Sequence, residues 1–144
     1  MNKVNQLKQK ADHYLPCFIN ECKRHDSCLH WLINPYVSGD TLNVMSVNPR
    51  NPEVNSNHCP FYRENKIVKN AKGMNHLLDE IPYNDAKAIK RELIRVFSRK
   101  RFYEYRNGTR LISPEQQAII AQICKAHGWN KKVTYDGWEE DYMW

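Results

Sequence analysis

The feature that most narrows what this chain can become is a spaced group of cysteines, Cys17-x4-Cys22-x5-Cys28, followed by Cys59-Pro60. The first 60 residues around it are polar and broken by Pro16, Pro35, Pro49, Pro52 and Pro60. A segment of that size and polarity buries too little apolar surface to hold itself, and small units of this kind need a disulfide or metal staple. Thiolates are soft ligands, and four of them close the tetrahedron of a structural zinc or ligate an iron–sulfur cluster. Zinc is the simpler occupant because it needs no assembly machinery. His25, His30 and His58 are near enough in sequence to replace one thiolate. The spacing lacks the C-x2-C knuckle of zinc ribbons and matches neither common ferredoxin pattern. A redox pair, or four thiols that merely cluster, are the competing readings.

The fifth cysteine, Cys124, falls with Ile120 and Ile123 on one face of a predicted helix and reads as core. An odd cysteine count suits four ligands and a bystander better than a disulfide framework. The N-terminus shows no signal-peptide run, and no stretch has the length and apolarity of a membrane span, so the expected compartment is the reducing cytoplasm.

Residues 3–14 space Val4, Leu7, Ala11 and Tyr14 like one helical face, and 26–33 read as a second helix with Asp26 as its cap. Thr41 to Val47 has strand-like composition. From Lys66 the pattern Ile67, Ala71, Met74, Leu78 predicts a helix, broken by Pro82, and the next helix runs from Asn84 to about Ser98 with Ile89, Leu93 and Phe97 inward. Asn107-Gly108 between Phe102–Arg106 and Thr109–Ile112 predicts a β-hairpin, because both turn residues tolerate positive φ. Ser113-Pro114-Glu115-Gln116 is a capping box with proline at the first helical position, opening a helix that ends at Gly128. The fold class is α+β: a Cys-rich metal-held module (1–62) packed on a helix–helix–β-hairpin–helix body (63–144) with an acidic, aromatic tail.

Charge is unevenly placed. The chain carries a formal +6, yet residues 61–110 hold 13 basic against 6 acidic side chains, while Asp136–Trp144 has four acids and no base. Arg99, Lys100, Arg101, Arg106 and Arg110, with Tyr103 and Tyr105 between them, form a candidate nucleic-acid surface: cations neutralise phosphates and exposed rings stack on bases. A helix followed by a basic hairpin is also the layout of a winged helix–turn–helix, a likeness of fold alone. The plainer alternative is that Arg99–Arg101 complement a helix C-terminus while the tyrosines pack the core.

Tyr14-Leu15-Pro16-Cys17-Phe18-Ile19-Asn20-Glu21-Cys22, Cys28-Leu29-His30, Val47-Asn48-Pro49, Cys59-Pro60, Ile81-Pro82-Tyr83, Tyr103–Leu111 and Pro114-Glu115-Gln116-Gln117-Ala118 together carry a resemblance over nearly the whole chain. They resemble the domain-of-unknown-function family numbered 6078, small bacterial proteins typical of Bacteroides-like anaerobes. In that pattern proline often follows the second cysteine; here Lys23 stands there. The resemblance implies a fold and a ligand set, but no reaction.

Glycine-rich phosphate loops, H-E-x-x-H and G-x-S-x-G are absent, and all-thiolate sites are usually closed to substrate. The expected role is therefore a non-catalytic adaptor or regulator with a protein partner, through Cys17, Cys22, Cys28 and Cys59 around zinc or an iron–sulfur cluster. A nucleic-acid-binding transcriptional regulator and an iron–sulfur redox sensor are the alternatives. Oligomeric state is not written in the sequence.

Overall fold

The computed structural model describes residues 2–144 and is a mixed helix and sheet protein. Its chain divides into two compact units, Val68–Glu140 and Met1–Ile67 together with Asp141–Trp144. Among the described residues no helix is long and apolar enough to cross a membrane.

The sheet has two strands, β1 (Ile67–Lys72) and β2 (Gly137–Tyr142). Asp136 N donates to Gly73 O at 2.9 Å and Met143 N to Lys66 O at 3.0 Å, so the strands run antiparallel. The helix expected from Lys66 is not there. Ile67, Ala71 and Met74 fit a helical spacing, but strand pairing claims the first two and Gly73, at φ +80, ends the strand. Non-local partners override a short local period.

Within Val68–Glu140 three helices follow β1. α3 (Tyr83–Phe97) buries Ile89, Leu93 and Phe97, one per turn, as the sequence predicts. α4 (Arg99–Asn107) replaces the expected hairpin. Phe102 and Tyr105, three residues apart, are 2% and 1% exposed, and Tyr105 meets Phe97 edge to face at 5.3 Å. That burial outweighs the β preference of the aromatic run. Asn107-Gly108 still marks a reversal, but as a helix end: Gly108 sits in the left-handed region at φ +79. A hairpin turn and a helix C-cap demand the same positive φ, so the dipeptide alone does not choose between them. The following Ile112 pairs with Ala71 of β1 through two 2.9 Å bonds.

α5 (Pro114–Ala126) opens on the predicted capping box. Ser113 Oγ accepts from Gln116 N at 3.4 Å, and Gln116 Oε1 accepts from Ser113 N at 2.9 Å. His127 caps its end, where its Nε2 meets Glu92 at 2.7 Å, and Gly128 follows at φ +86. Ile120, Ile123 and Cys124 join the core of α3 and α4, so Cys124 is a packing residue.

In the other unit regular structure is scarce. α1 (Lys3–Lys10) is capped by Asn2 and buries Leu7, with Val4 left exposed. The expected helix over 26–33 is a 3-10 turn (His25–Ser27) and a single α turn, α2 (Leu29–Leu32). The expected strand over Thr41–Val47 does not form: Leu42, Val44 and Met45 are exposed, and only Val47 is buried. Strand composition without a partner strand leaves backbone donors to water. Two small clusters hold this unit. Leu7, Leu29, Ile33 and Tyr142 form one, with Tyr14 and Trp144 against it; Ile19, Val47 and Val54 form the other, with Cys17, Cys22 and Cys59 against it.

Candidate metal centre

Each of the four cysteines is delivered by a different piece of backbone. Cys17 follows Pro16 in an extended stretch pinned on three sides: its N–H donates to His30 O at 2.8 Å, its carbonyl accepts from Asn34 Nδ2 at 2.9 Å, and Pro16 O accepts from Val47 N at 3.0 Å. Cys22 sits in a turn whose carbonyl accepts from His25 N at 3.2 Å and from His25 Nδ1 at 2.7 Å. Cys28 joins the 3-10 turn to α2 and pairs across an antiparallel bridge with Glu64, flanked by Leu29 N to Arg63 O at 2.8 Å. Cys59 N donates to Ser56 O at 3.3 Å and its carbonyl accepts from Tyr62 N at 3.2 Å, while Pro60 cannot extend the turn.

These segments converge. All four cysteines line one cavity of about 20 Å³, together with the apolar side chains of Ile19, Val47, Val54 and Phe61. None of the five cysteines in the protein is in a disulfide. Burial pushes the Cys17 thiol above its usual range; the Ile19 backbone N–H on its sulfur opposes that, and Cys28, Cys22 and Cys59 each push it further up. The Cys17 sulfur therefore feels the other three. Thiolates crowded against an apolar wall repel, and a cation among them removes that cost.

His25 and His30 also line the cavity, whereas His58 does not. A carbonyl only accepts, so His30 Nδ1 carries its proton to Leu15 O at 2.5 Å, which leaves Nε2 with a lone pair. The ring is buried, stacks on Tyr14 at 4.3 Å and 20°, and burial holds its pKa below the ordinary value. His25 is arranged alike, with Nδ1 on Cys22 O. A ring proton on a backbone carbonyl is the orientation usual for metal-binding histidines. Arg24 completes the rim, stacked over Tyr62 at 4.0 Å and donating to Ser56 O at 2.8 Å. Neither Arg24 nor Tyr62 lies in a motif, so sequence reasoning missed both.

The donor set is soft and suits zinc or iron. Among the described residues, however, no group of three or more His, Cys, Asp or Glu side chains is placed to hold a metal ion. The sulfurs share a cavity without closing a single-ion cage. Cys28 stands at the N-terminus of α2, but a single turn of four residues supplies little dipole to favour its thiolate.

The basic candidates lie elsewhere and differ from expectation. With no hairpin there is no wing, and the likeness to a winged helix–turn–helix falls away. Arg99, Lys100 and Arg101 form the exposed first turn of α4, not the end of α3. Arg110 is drawn to Glu104 at 2.6 Å and Arg106 is half-buried. Tyr105 lies in the core, so it offers no stacking face. In the tail, Tyr135 packs on that core, Lys69 sits over Trp138 at 4.8 Å, and Glu139 meets Lys72 at 3.2 Å.

A polar, glycine-poor chain that gathers four free thiols on an apolar cavity is a cysteine-lined α+β protein. It belongs to a family of unknown function (DUF6078), whose pattern it matches over residues 1–144. No curated protein and no solved structure matches it significantly.

Proposed function

We propose that Cys17, Cys22, Cys28 and Cys59 hold a thiolate-ligated metal centre, zinc or iron–sulfur, that organises Met1–Ile67, and that the protein acts as a non-catalytic adaptor or regulator. One observation carries this reading: four cysteines from four separate backbone segments line a single apolar cavity, with Cys17 tied to His30 and Asn34 and the backbone of Cys22, Cys28 and Cys59 tied into local turns. Two clusters of three and four buried residues are a thin core for so long a segment, and structural zinc in small peptides contributes on the order of 10–16 kcal/mol of apparent binding energy. Four cysteine ligands leave no open position for substrate, which is why the role is non-catalytic. Unpaired thiols suit a reducing compartment, hence the cytoplasm. The test is metal and acid-labile sulfide analysis of protein purified without oxygen. Bare polypeptide, with neither zinc nor iron retained, overturns the reading.

A second reading, a nucleic-acid-binding regulator, has one observation in its favour. Arg99, Lys100 and Arg101 ride exposed on the opening turn of α4, where the helix dipole disfavours cations, and they enter none of the ion pairs among the described residues. Charge held at a cost invites an anionic partner. A salt-dependent gel shift with single- and double-stranded DNA and RNA decides it: no retardation at low salt ends this reading, and retardation lost in a triple Arg99→Ser, Lys100→Ser, Arg101→Ser variant sustains it.

A further inference from the structure

We infer that a second cavity, between α3, α4 and the turns that follow β1, binds a small organic carboxylate through Arg106 and Lys90. The four clustered cysteines lie outside Val68–Glu140, so this inference stands apart from the metal-centre reading.

The cavity measures about 140 Å³. A water molecule needs roughly 10–15 Å³ of such room, and drug-sized ligands take roughly 300–1,000 Å³. The space lies between the two and suits a ligand of several heavy atoms.

Its backing is fixed before any ligand arrives. Met74 N donates to Arg106 O at 3.0 Å, Leu77 N to Met74 O at 3.3 Å, and Ile81 N to Leu78 O at 3.2 Å. These bonds tie residues 74–81 to themselves and to α4. Met74, Leu77 and Phe102 line the cavity and are also buried members of the core, so the floor is apolar and rigid. A preformed wall spares the ligand the cost of ordering it.

Two half-buried cations line this floor from different helices, Lys90 on α3 and Arg106 on α4. Arg106 stands four residues after Phe102, on the same face of its helix. The Lys90 ammonium sits over the Tyr103 ring at 5.6 Å, and Tyr103 belongs to the helix that carries Arg106. A ring attracts a cation without neutralising it. Asp79 also lines the cavity, but its carboxylate is engaged by His76 Nδ1 at 2.7 Å, a bond that raises the imidazole pKa. Neither Lys90 nor Arg106 enters an ion pair among the described residues. Partly desolvated charges of one sign repel, and an anion that reaches both removes that cost.

The rest of the lining selects the anion. A guanidinium fork matches the two oxygens of a planar carboxylate. Met74, Leu77, Leu78 and Phe102 fit a short hydrocarbon tail and would leave the further oxygens of a phosphate unpaired. Asn75, on the same wall, has its Nδ2 committed to Asp136 at 3.0 Å.

The test titrates the full chain with butyrate, 1-butanol and inorganic phosphate by calorimetry, in low-salt buffer free of other carboxylates. The expected result is saturable binding of butyrate alone. Resonance shifts in the unaltered chain should centre on Leu77, Leu78, Phe102 and Arg106, which keeps the test independent of how variants fold. Arg106→Met should weaken butyrate about tenfold or more, as loss of a charged hydrogen-bond partner does. Lys90→Met should act in the same direction, whereas Arg95→Met, at an exposed position of α3, should change nothing. No saturable butyrate binding, shifts centred elsewhere, or full binding by folded Arg106→Met and Lys90→Met overturns the site. Butanol bound as tightly as butyrate overturns the role of the cations, and phosphate bound as tightly overturns the carboxylate assignment.

Discussion

The backbone N–H of Cys17 donates to the carbonyl of His30 at 2.8 Å, and the His30 ring returns the tie through Nδ1 to the carbonyl of Leu15. Two segments thirteen residues apart are thus laced together beside the cavity, with Tyr14 stacked on the imidazole. His30→Ala removes a buried ring, a hydrogen bond and a stacking partner. It should destabilise the protein by about 2–3 kcal/mol in urea unfolding. Metal retention should weaken in parallel, read from metal content after dialysis. Unchanged values for both would mean that the lacing is incidental.

Removing the proposed metal should act locally. Val68–Glu140 has its own core of thirteen buried residues, whereas the other unit has two small clusters. A chelator, or Cys22→Ser, should strip amide-exchange protection from residues 15–65 and leave α3, α4 and α5 protected. Uniform loss across the chain would contradict this.

Gly73 faces Asp136 across the end of the ladder. At φ +80, a Cβ on Gly73 would come within 2.6 Å of Asp136 Oδ2, the same oxygen that accepts from Asn75 N and Nδ2 at 3.0 Å. Gly73→Ala should cost about 1–3 kcal/mol by thermal or urea unfolding. Adding Asp136→Ala should relieve only the clash and leave the backbone strain, so the two changes will not be additive.

Asp136 also sets a pH dependence. Hydrogen bonds from Asn75 hold its carboxyl below the ordinary range. A folded value below the unfolded one, about 3.9, means the stabilisation is complete above that pH. It is lost as pH falls through the folded value. Asp136→Asn should flatten this acid limb of stability; an unchanged limb would assign it to other carboxylates.

Gly108→Ala should cost about 1 kcal/mol, and Gly108→Asn less, because asparagine tolerates the left-handed C-cap. Helical chemical shifts over Arg99–Asn107 in both variants would confirm that the glycine ends a helix and does not turn a hairpin.

Much of the fold was legible wherever local chemistry was self-sufficient. The Ser113 capping box closes on its own four residues, and Ile89, Leu93 and Phe97 mark one face over a long helix. The cysteine group was equally plain, and its members do meet at one cavity. What failed were segments whose choice depends on distant partners. Ile67–Lys72 is a strand because Gly137–Tyr142 lies beside it, and 102–107 is helical because Phe97 awaits Tyr105. Nor could spacing show that His30 sits on the cavity and His58 does not.

By itself the sequence determined the composition of the thiol set, the long helices and the places where the chain must turn, since each is written in covalent structure and near neighbours. Tertiary structure decided which turns became helix ends, which apolar runs became strands, and which side chains line one cavity with the cysteines. Those outcomes turn on burial and pairing between residues far apart in the chain, whose energies no local pattern contains.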